Sequence, residues 1–307
     1  MQVEEITIKT EGTDLGARVY QGGKKRLIVY LSPICLHSGW FKEVLEKLAI
    51  QFEATIVAID VPGIGLSPGG IVVVGRKGVI GKLFSCCDFD LTVLAEKIKR
   101  ALPDLKKEYQ TEKTYLLGSS LGGIISSYVL AVDQGNVLDG VIFQAGFASS
   151  GAEINQYVKP RIRKIPEQAY YSQIKKALTG LPAFAFVYWS VPGIDSVIKQ
   201  TKETAQFVDR FLKDPETVIS FTIRTLESLF YAPEILLPEA VPILFLKSER
   251  DGMPVNQQIE MFLARHHCDK TIVLLKGAPH LVFDSEMHTK VAVAEIEKWF
   301  CKVEQAG

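Results

Sequence analysis

Net charge, cysteine and uninterrupted apolar sequence are all scarce in this 307-residue chain. Its 35 lysines and arginines are matched by 35 aspartates and glutamates. The chain therefore lacks the positive field on which nucleic-acid binding rests. One local basic run, Lys159, Arg161, Arg163 and Lys164, reads as a solvated face, with contact to an anionic head group as the lesser reading. The five cysteines, Cys35, Cys86, Cys87, Cys268 and Cys301, are odd in number, two are adjacent, and their spacing frames no disulfide set. That usage fits a reducing, cytoplasmic compartment. No C-x-x-C pair is present, so no metal is expected. The opening MQVEEITIKT carries acids early, unlike a signal peptide. No run of about twenty uncharged apolar residues would span a bilayer. The nearest candidate, LPAFAFVYWSVPGI over 181–194, is short and has a proline near each end. Internal repeats, low-complexity tracts and the phosphate-cradling G-x-x-x-x-G-K-[ST] loop are missing as well.

What is present is apolar material in a regular order. Hydrophobic residues make up 47% of the chain, enough for a large core. Residues 6–9 and 17–20 alternate apolar and polar, as a half-buried hairpin does. Residues 27–31 and 54–59 are continuous apolar runs that suit buried parallel strands. Between them Phe41, Val44, Leu45 and Leu48 recur at helical spacing. Asp90 is placed to cap a helix with the face Leu91, Leu94, Ala95 and Ile98. A strand over 114–117, a helix over 121–132 and a strand over 141–143 close a first block. A second block repeats the pattern, with strands at 242–246 and 271–275 and helices at 257–266 and 288–300. Alternation of this kind predicts a mostly parallel central sheet with helices on both faces.

Residues 146–240 interrupt the alternation. They read as mostly helical, over 167–178, 194–211 and 215–229, the last opening after Asp214. The predicted organisation is a core of residues 1–145 and 241–307 with a helical lid inserted at 146–240. Residues 71–85, glycine-bearing and followed by Cys86-Cys87, read as a loop or hairpin at a pocket rim.

The sharpest local signal is Gly118-Ser119-Ser120-Leu121-Gly122, a match to G-x-S-x-G between a strand and a helix. Five residues alone are a weak signal, and the plain alternative is a Gly/Ser turn. The flanking strand and helix and the downstream partners strengthen it. A nucleophile on such a turn is lifted above the sheet, and the helix N-terminus offers amides and positive charge to an oxyanion. A serine hydroxyl is a poor nucleophile at neutral pH and needs a base. His280, in Gly277-Ala278-Pro279-His280, follows the strand at 271–275. Asp251 follows the strand at 242–246. Both fall at the carboxyl edge of the sheet, where active sites of open α/β sheets collect. The order Ser120, Asp251, His280 is the one this elbow uses. His266 and His267 end a helix, His288 opens one, and His37 precedes the serine. Glu249 and Asp284 are rival acids that read as surface or supporting carboxylates.

The chain resembles the monoacylglycerol lipase and lysophospholipase-like branch of the α/β-hydrolase superfamily, also called serine aminopeptidase-like. The resemblance covers nearly the whole chain. It is carried by residues 27–40, Asp60-Val61-Pro62-Gly63-Ile64-Gly65-Leu66-Ser67, 118–123, 242–254 and 277–283, and by Asp214-Pro215. It implies an α/β-hydrolase fold and a serine carboxylic ester hydrolase that needs no cofactor. The implied substrates are monoacylglycerol- or lysophospholipid-like acyl esters, with thioester or amide cleavage left open. The family pattern puts the oxyanion donors at the amides of Leu121 and Ile34. It also has His-Gly where this chain has Ser32-Pro33. That departure favours an alternative, a ligand-binding or weakly active protein on a hydrolase scaffold. Phe184, Tyr188 and Trp189 in the lid are candidates for acyl contact, and the same apolar set suits peripheral contact with a membrane or micelle. The expected partner is a small-molecule ester and no nucleic acid.

Overall fold

The computed structural model describes residues 2–69, 86–158, 207, 209–211, 213–218, 220–251, 259 and 265–306. In chain order the first elements are β1 (Val3–Ile8), β2 (Leu15–Gln21), β3 (Arg26–Leu31), α1 (Lys42–Gln51) and β4 (Ala54–Ile59). A two-residue strand β5 (Cys86–Cys87) precedes α2 (Leu91–Glu108), β6 (Lys113–Ser119), α3 (Leu121–Asp133) and β7 (Gly140–Gln144). Then come α4 (Gly151–Val158), β8 (Ser220–Phe221), α5 (Ile223–Phe230), β9 (Ile243–Ser248), β10 (Lys270–Leu275) and α6 (Glu286–Ala306). Eight strands form one sheet in the order β1-β2-β4-β3-β6-β7-β9-β10. The first two pairings, β1 with β2 and β2 with β4, are antiparallel, and the rest are parallel.

Alternation of side chains along each strand splits the core into two layers. Leu27, Val29 and Leu31 of β3 join one layer, with Leu94, Ile98 and Leu102 of α2 and Ile125 and Val129 of α3. Ile28 and Tyr30 join the other, with Leu45 and Leu48 of α1 and Ile296, Trp299 and Phe300 of α6. The helices therefore cover both faces, as the sequence pattern predicts. Asp90 caps α2, its Oδ1 accepting from the Thr92 and Val93 amides at 2.9 and 3.1 Å.

Three expectations change. The hairpin expected of 6–9 and 17–20 forms, β1 pairing antiparallel with β2, but 17–20 is fully buried and not half-buried, because the polar Arg18 is covered by Ser38 and Glu216. The helix expected over 215–229 starts only at Ile223, capped by Thr222, whose Oγ1 accepts from the Thr225 amide at 3.2 Å. Asp214 instead turns the chain, with Oδ1 accepting from the Glu216 amide at 2.8 Å, and Ser220–Phe221 then pairs in parallel with Cys86–Cys87. A short side chain that bonds its own backbone two residues on makes a turn as readily as a cap. Last, the helix expected to reach His266 has ended by residue 265. The expectations for 71–85, for the basic run at 159–164 and for Phe184, Tyr188 and Trp189 lie outside the described residues.

Candidate active site

Ser120 stands between β6 and α3 with φ 52° and ψ −115°. A Cβ-bearing residue rarely adopts that conformation, and the surroundings hold it there. The Ser120 amide donates to the Gln144 carbonyl at 2.8 Å, and its own carbonyl accepts from Gly123 at 2.9 Å. Glycines let the backbones close in. A Cβ on Gly122 would sit 2.0 Å from the Leu31 carbonyl oxygen, and one on Gly146 would sit 1.8 Å from that of Ser120. The turn is thus wedged between the ends of β3 and β7.

His280 follows β10 and Asp251 follows β9, so both reach the same edge of the sheet. The Ser120 hydroxyl lies 2.9 Å from His280 Nε2, and His280 Nδ1 lies 2.9 Å from both Asp251 oxygens. A carboxylate can only accept here, so Nδ1 carries the proton and Nε2 is left as the acceptor for the hydroxyl. Both partners are buried, at 8% exposure for the His280 side chain and 1% for that of Asp251. The three side chains singled out in the sequence therefore meet. Glu249 does not join them: it is exposed and accepts from the Gly277 amide at 2.8 Å.

Backbone bonds hold the two loops against each other. The Arg250 amide donates to Ala278 at 3.0 Å and the Glu249 amide to Leu275 at 3.2 Å. Leu121 is the first residue of α3, so its amide is among those a helix leaves without an internal partner. On the other side of the serine, the Leu36 amide donates to Pro33 at 3.2 Å and closes a turn around Ile34 and Cys35. Cys35 sits at φ 69°, the positive value that marks a type II turn. Its side chain is buried, as a packing residue. No described hydrogen bond engages the Ile34 amide.

Sequence reasoning passed over a buried polar cluster behind this turn. Asp60, opening the D-x-x-G-x-G-x-S segment, accepts from the Ser38 amide, from Ser38 Oγ at 2.9 Å and from the Leu66 amide at 2.9 Å. Gly65 leaves room for it, since a Cβ there would lie 2.2 Å from Asp60 Oδ2. His37 Nε2 lies 3.0 Å from Asp214 Oδ2, and His37 Nδ1 lies 3.1 Å from Glu216 Oε2. Arg18 Nη2 donates to both Glu216 oxygens at 2.8 Å. Burial alone would lower the His37 pKa, but the hydrogen bonds and charges of Asp214 and Glu216 outweigh it and raise the value to about 9. The Gly39 amide donates toward Nδ1 at 3.1 Å and Arg18 Nη1 lies 3.3 Å from it, contacts that oppose a proton there. Glu216, Asp60 and Glu5 surround the Arg18 guanidinium and Asp214 adds a fourth carboxylate at His37, and this excess of negative charge favours a protonated imidazole. Burial pushes Asp60 up to about 6 against the donors that stabilise its charge. The signal available in sequence was Asp214-Pro215, which marks a fixed turn without naming its partner.

Among the described residues, no group of three or more His, Cys, Asp or Glu side chains is placed to hold a metal ion. No described helix is long and apolar enough to cross a membrane.

The family model for serine aminopeptidase, S33, matches residues 22–287. No curated protein matches the chain by sequence. Among solved structures, the monoacylglycerol lipase of Paleococcus ferrophilus is similar at TM-score 0.63 and 19% identity, covering 99% of this chain and 100% of that one. A soluble variant of the monoglyceride lipase of Saccharomyces cerevisiae, solved with a substrate analog, gives TM-score 0.67 at 14% identity over 99% of this chain and 95% of that one. A thermostable carboxyl esterase from Bacillus coagulans, solved with glycerol, gives TM-score 0.69 at 17% identity over 99% of each chain. These likenesses establish the α/β-hydrolase fold.

Proposed function

We propose that this chain, which belongs to the serine aminopeptidase, S33, family of hydrolases, is a serine carboxylic ester hydrolase working through an acyl-enzyme on Ser120. The observation that carries the reading is the unbroken line from the Ser120 hydroxyl through His280 to Asp251, each contact 2.9 Å long. In that line Nε2 takes the hydroxyl proton as Oγ attacks the ester carbonyl, and Asp251 holds the imidazole in the tautomer that can accept it. The amides of Leu121 and Ile34 receive the oxyanion. His280 then returns its proton to the leaving alcohol. A water molecule, deprotonated by the same imidazole, releases the acid.

The substrate class is an acyl ester, monoacylglycerol- or lysophospholipid-like. The monoacylglycerol and monoglyceride lipases and the carboxyl esterase among the similar structures support that class. Residues 146–240 form the proposed lid, with Phe184, Tyr188 and Trp189 against the acyl chain and a face for micelles or membranes. Ser32-Pro33, standing where the family has His-Gly, supports a second reading as a ligand-binding or weakly active protein on a hydrolase scaffold.

A fluorophosphonate probe separates the two readings. The ester hydrolase labels covalently, and labelling disappears in Ser120→Ala. Folded protein that takes no label supports the binding reading. Aryl esters of increasing length test the substrate class. Rates are expected to rise from acetate to decanoate, and a flat or falling series would sink the long-chain assignment.

A further inference from the structure

Gln144 is a buried polar side chain beside the triad that the proposed chemistry does not use. Gln144 ends β7, one strand from Ser120, and is fully buried. It touches both halves of the site. Its main-chain carbonyl accepts from the Ser120 amide at 2.8 Å. Its side-chain Nε2 donates to the main-chain carbonyl of His280 at 2.7 Å. The amide is fixed in this orientation, because turning it over would set two carbonyl oxygens against each other. Its Oε1 has no hydrogen-bond partner among the described residues. Burying an amide with one end unsatisfied costs stability, so the remaining bond has to be worth keeping for another reason.

The loop contacts supply that reason. The loops of Asp251 and His280 are joined to each other by backbone bonds, Arg250 to Ala278 and Glu249 to Leu275. Ser120 sits apart, on the turn after β6. Besides the reacting Ser120–His280 contact, Gln144 makes the one hydrogen-bonded link between the serine turn and the histidine loop among the described residues. We propose that Gln144 is a positioning residue that holds the His280 loop in register with the Ser120 turn, setting the Oγ-to-Nε2 distance for proton transfer. The proposal rests on the ester-hydrolase reading.

The test uses the full-length protein, a p-nitrophenyl butyrate assay, and the rate of fluorophosphonate labelling at Ser120. Gln144→Met keeps the length of the side chain, removes the donor and removes the unsatisfied carbonyl. A misplacement near 1 Å costs on the order of a hundredfold. Gln144→Met is therefore expected to lower kcat and the labelling rate by about ten- to a hundredfold, with KM within about twofold. Its melting temperature should stay close to that of the unaltered protein, because one unpaired buried carbonyl, Gln144 Oε1, is exchanged for another, that of His280. Gln144→Glu is the rescue. Buried away from water, the new carboxyl stays neutral at pH 7 and its O–H can replace the amide donor. Its kcat should return to within about threefold of the original at pH 7. As pH rises and the carboxyl ionises, kcat should fall with an added alkaline limb that the unaltered protein lacks. A packing role would move neither the pH profile nor the rescue. Undiminished kcat and labelling in Gln144→Met, or a Gln144→Glu profile with no added limb, would overturn the proposal. If the unaltered protein itself takes no label, the ester-hydrolase reading fails first and the proposal with it.

Discussion

Ser120 combines two demands that oppose each other. Its hydroxyl has to stand above the sheet, and that requires a backbone at φ 52° and ψ −115°. For a residue with a Cβ this conformation costs about 1–3 kcal/mol. Glycine adopts it freely, although glycine also loses more entropy on folding. The net change in Ser120→Gly is expected to be a gain of about 1 kcal/mol, with hydrolysis abolished. Thermal unfolding should rise by roughly 2 °C in a chain of this size. A lower melting point would show that the turn stores no strain. Ser120 was legible in the sequence because the glycines around it are needed for backbone contact. Gln144 was not. A polar residue at the end of the apolar run Val141–Ile142–Phe143 was the only hint, and nothing in the sequence places it against His280.

Among the elements, the turn after β3 and the segment 214–218 are tied by charge. His37, Asp214, Glu216, Arg18 and Asp60 face one another there, with Glu5 of β1 3.3 Å from Arg18. The Val218 amide also donates to Cys35 at 3.3 Å. The sign of the pH effect follows from His37. Its folded value is raised to about 9, above the ordinary 6.5. Its stabilising contribution is complete below pH 6.5 and is lost as pH rises through 9. Asp60 titrates below that window. Unfolding free energy from urea titrations is expected to fall between pH 6.5 and 9, and His37→Gln should flatten that slope. Equal slopes in the two proteins would mean that His37 is neutral in the fold. Among the described residues, most strand and helix starts were readable to within a few residues because burial period and capping are local properties. The helices read over 167–178 and most of those over 194–211 and 257–266 lie outside them. The false helix start at Asp214 arose because its local bond to the Glu216 amide serves a turn as readily as a cap, and the residue that fixes its other oxygen, His37, lies 177 residues away. No window of sequence shows a pair that distant.

The whole molecule is closed by its last helix. Arg26, at the start of the central strand β3, donates from Nη2 to Glu304 Oε2 at 2.7 Å and from Nη1 to the Phe52 carbonyl at 2.6 Å. Its guanidinium also lies 4.6 Å from the centre of the Phe300 ring. The Arg26 side chain is buried and that of Glu304 nearly so. Removing one partner of such a pair leaves a buried charge without its counterion, and that loss outweighs the modest worth of the intact pair. Glu304→Ala is expected to lose about 2–3 kcal/mol in urea unfolding, at or just below the usual range because the carboxylate keeps some contact with water. Ester hydrolysis at 25 °C should be unchanged, since the pair sits at the opposite end of the strands from Ser120. Unaltered stability would mean that the helix is held by packing alone.

The separation of 160 residues between Ser120 and His280 sets an order in time as well as in space. A ribosome moving at about 5–20 residues per second completes the serine turn roughly ten to thirty seconds before it reaches the histidine. Through that interval the nascent chain holds a finished hydroxyl with no group to deprotonate it. On the proposed chemistry, a polypeptide still being translated is inert toward esters, and activity begins only when the second half of the sheet closes.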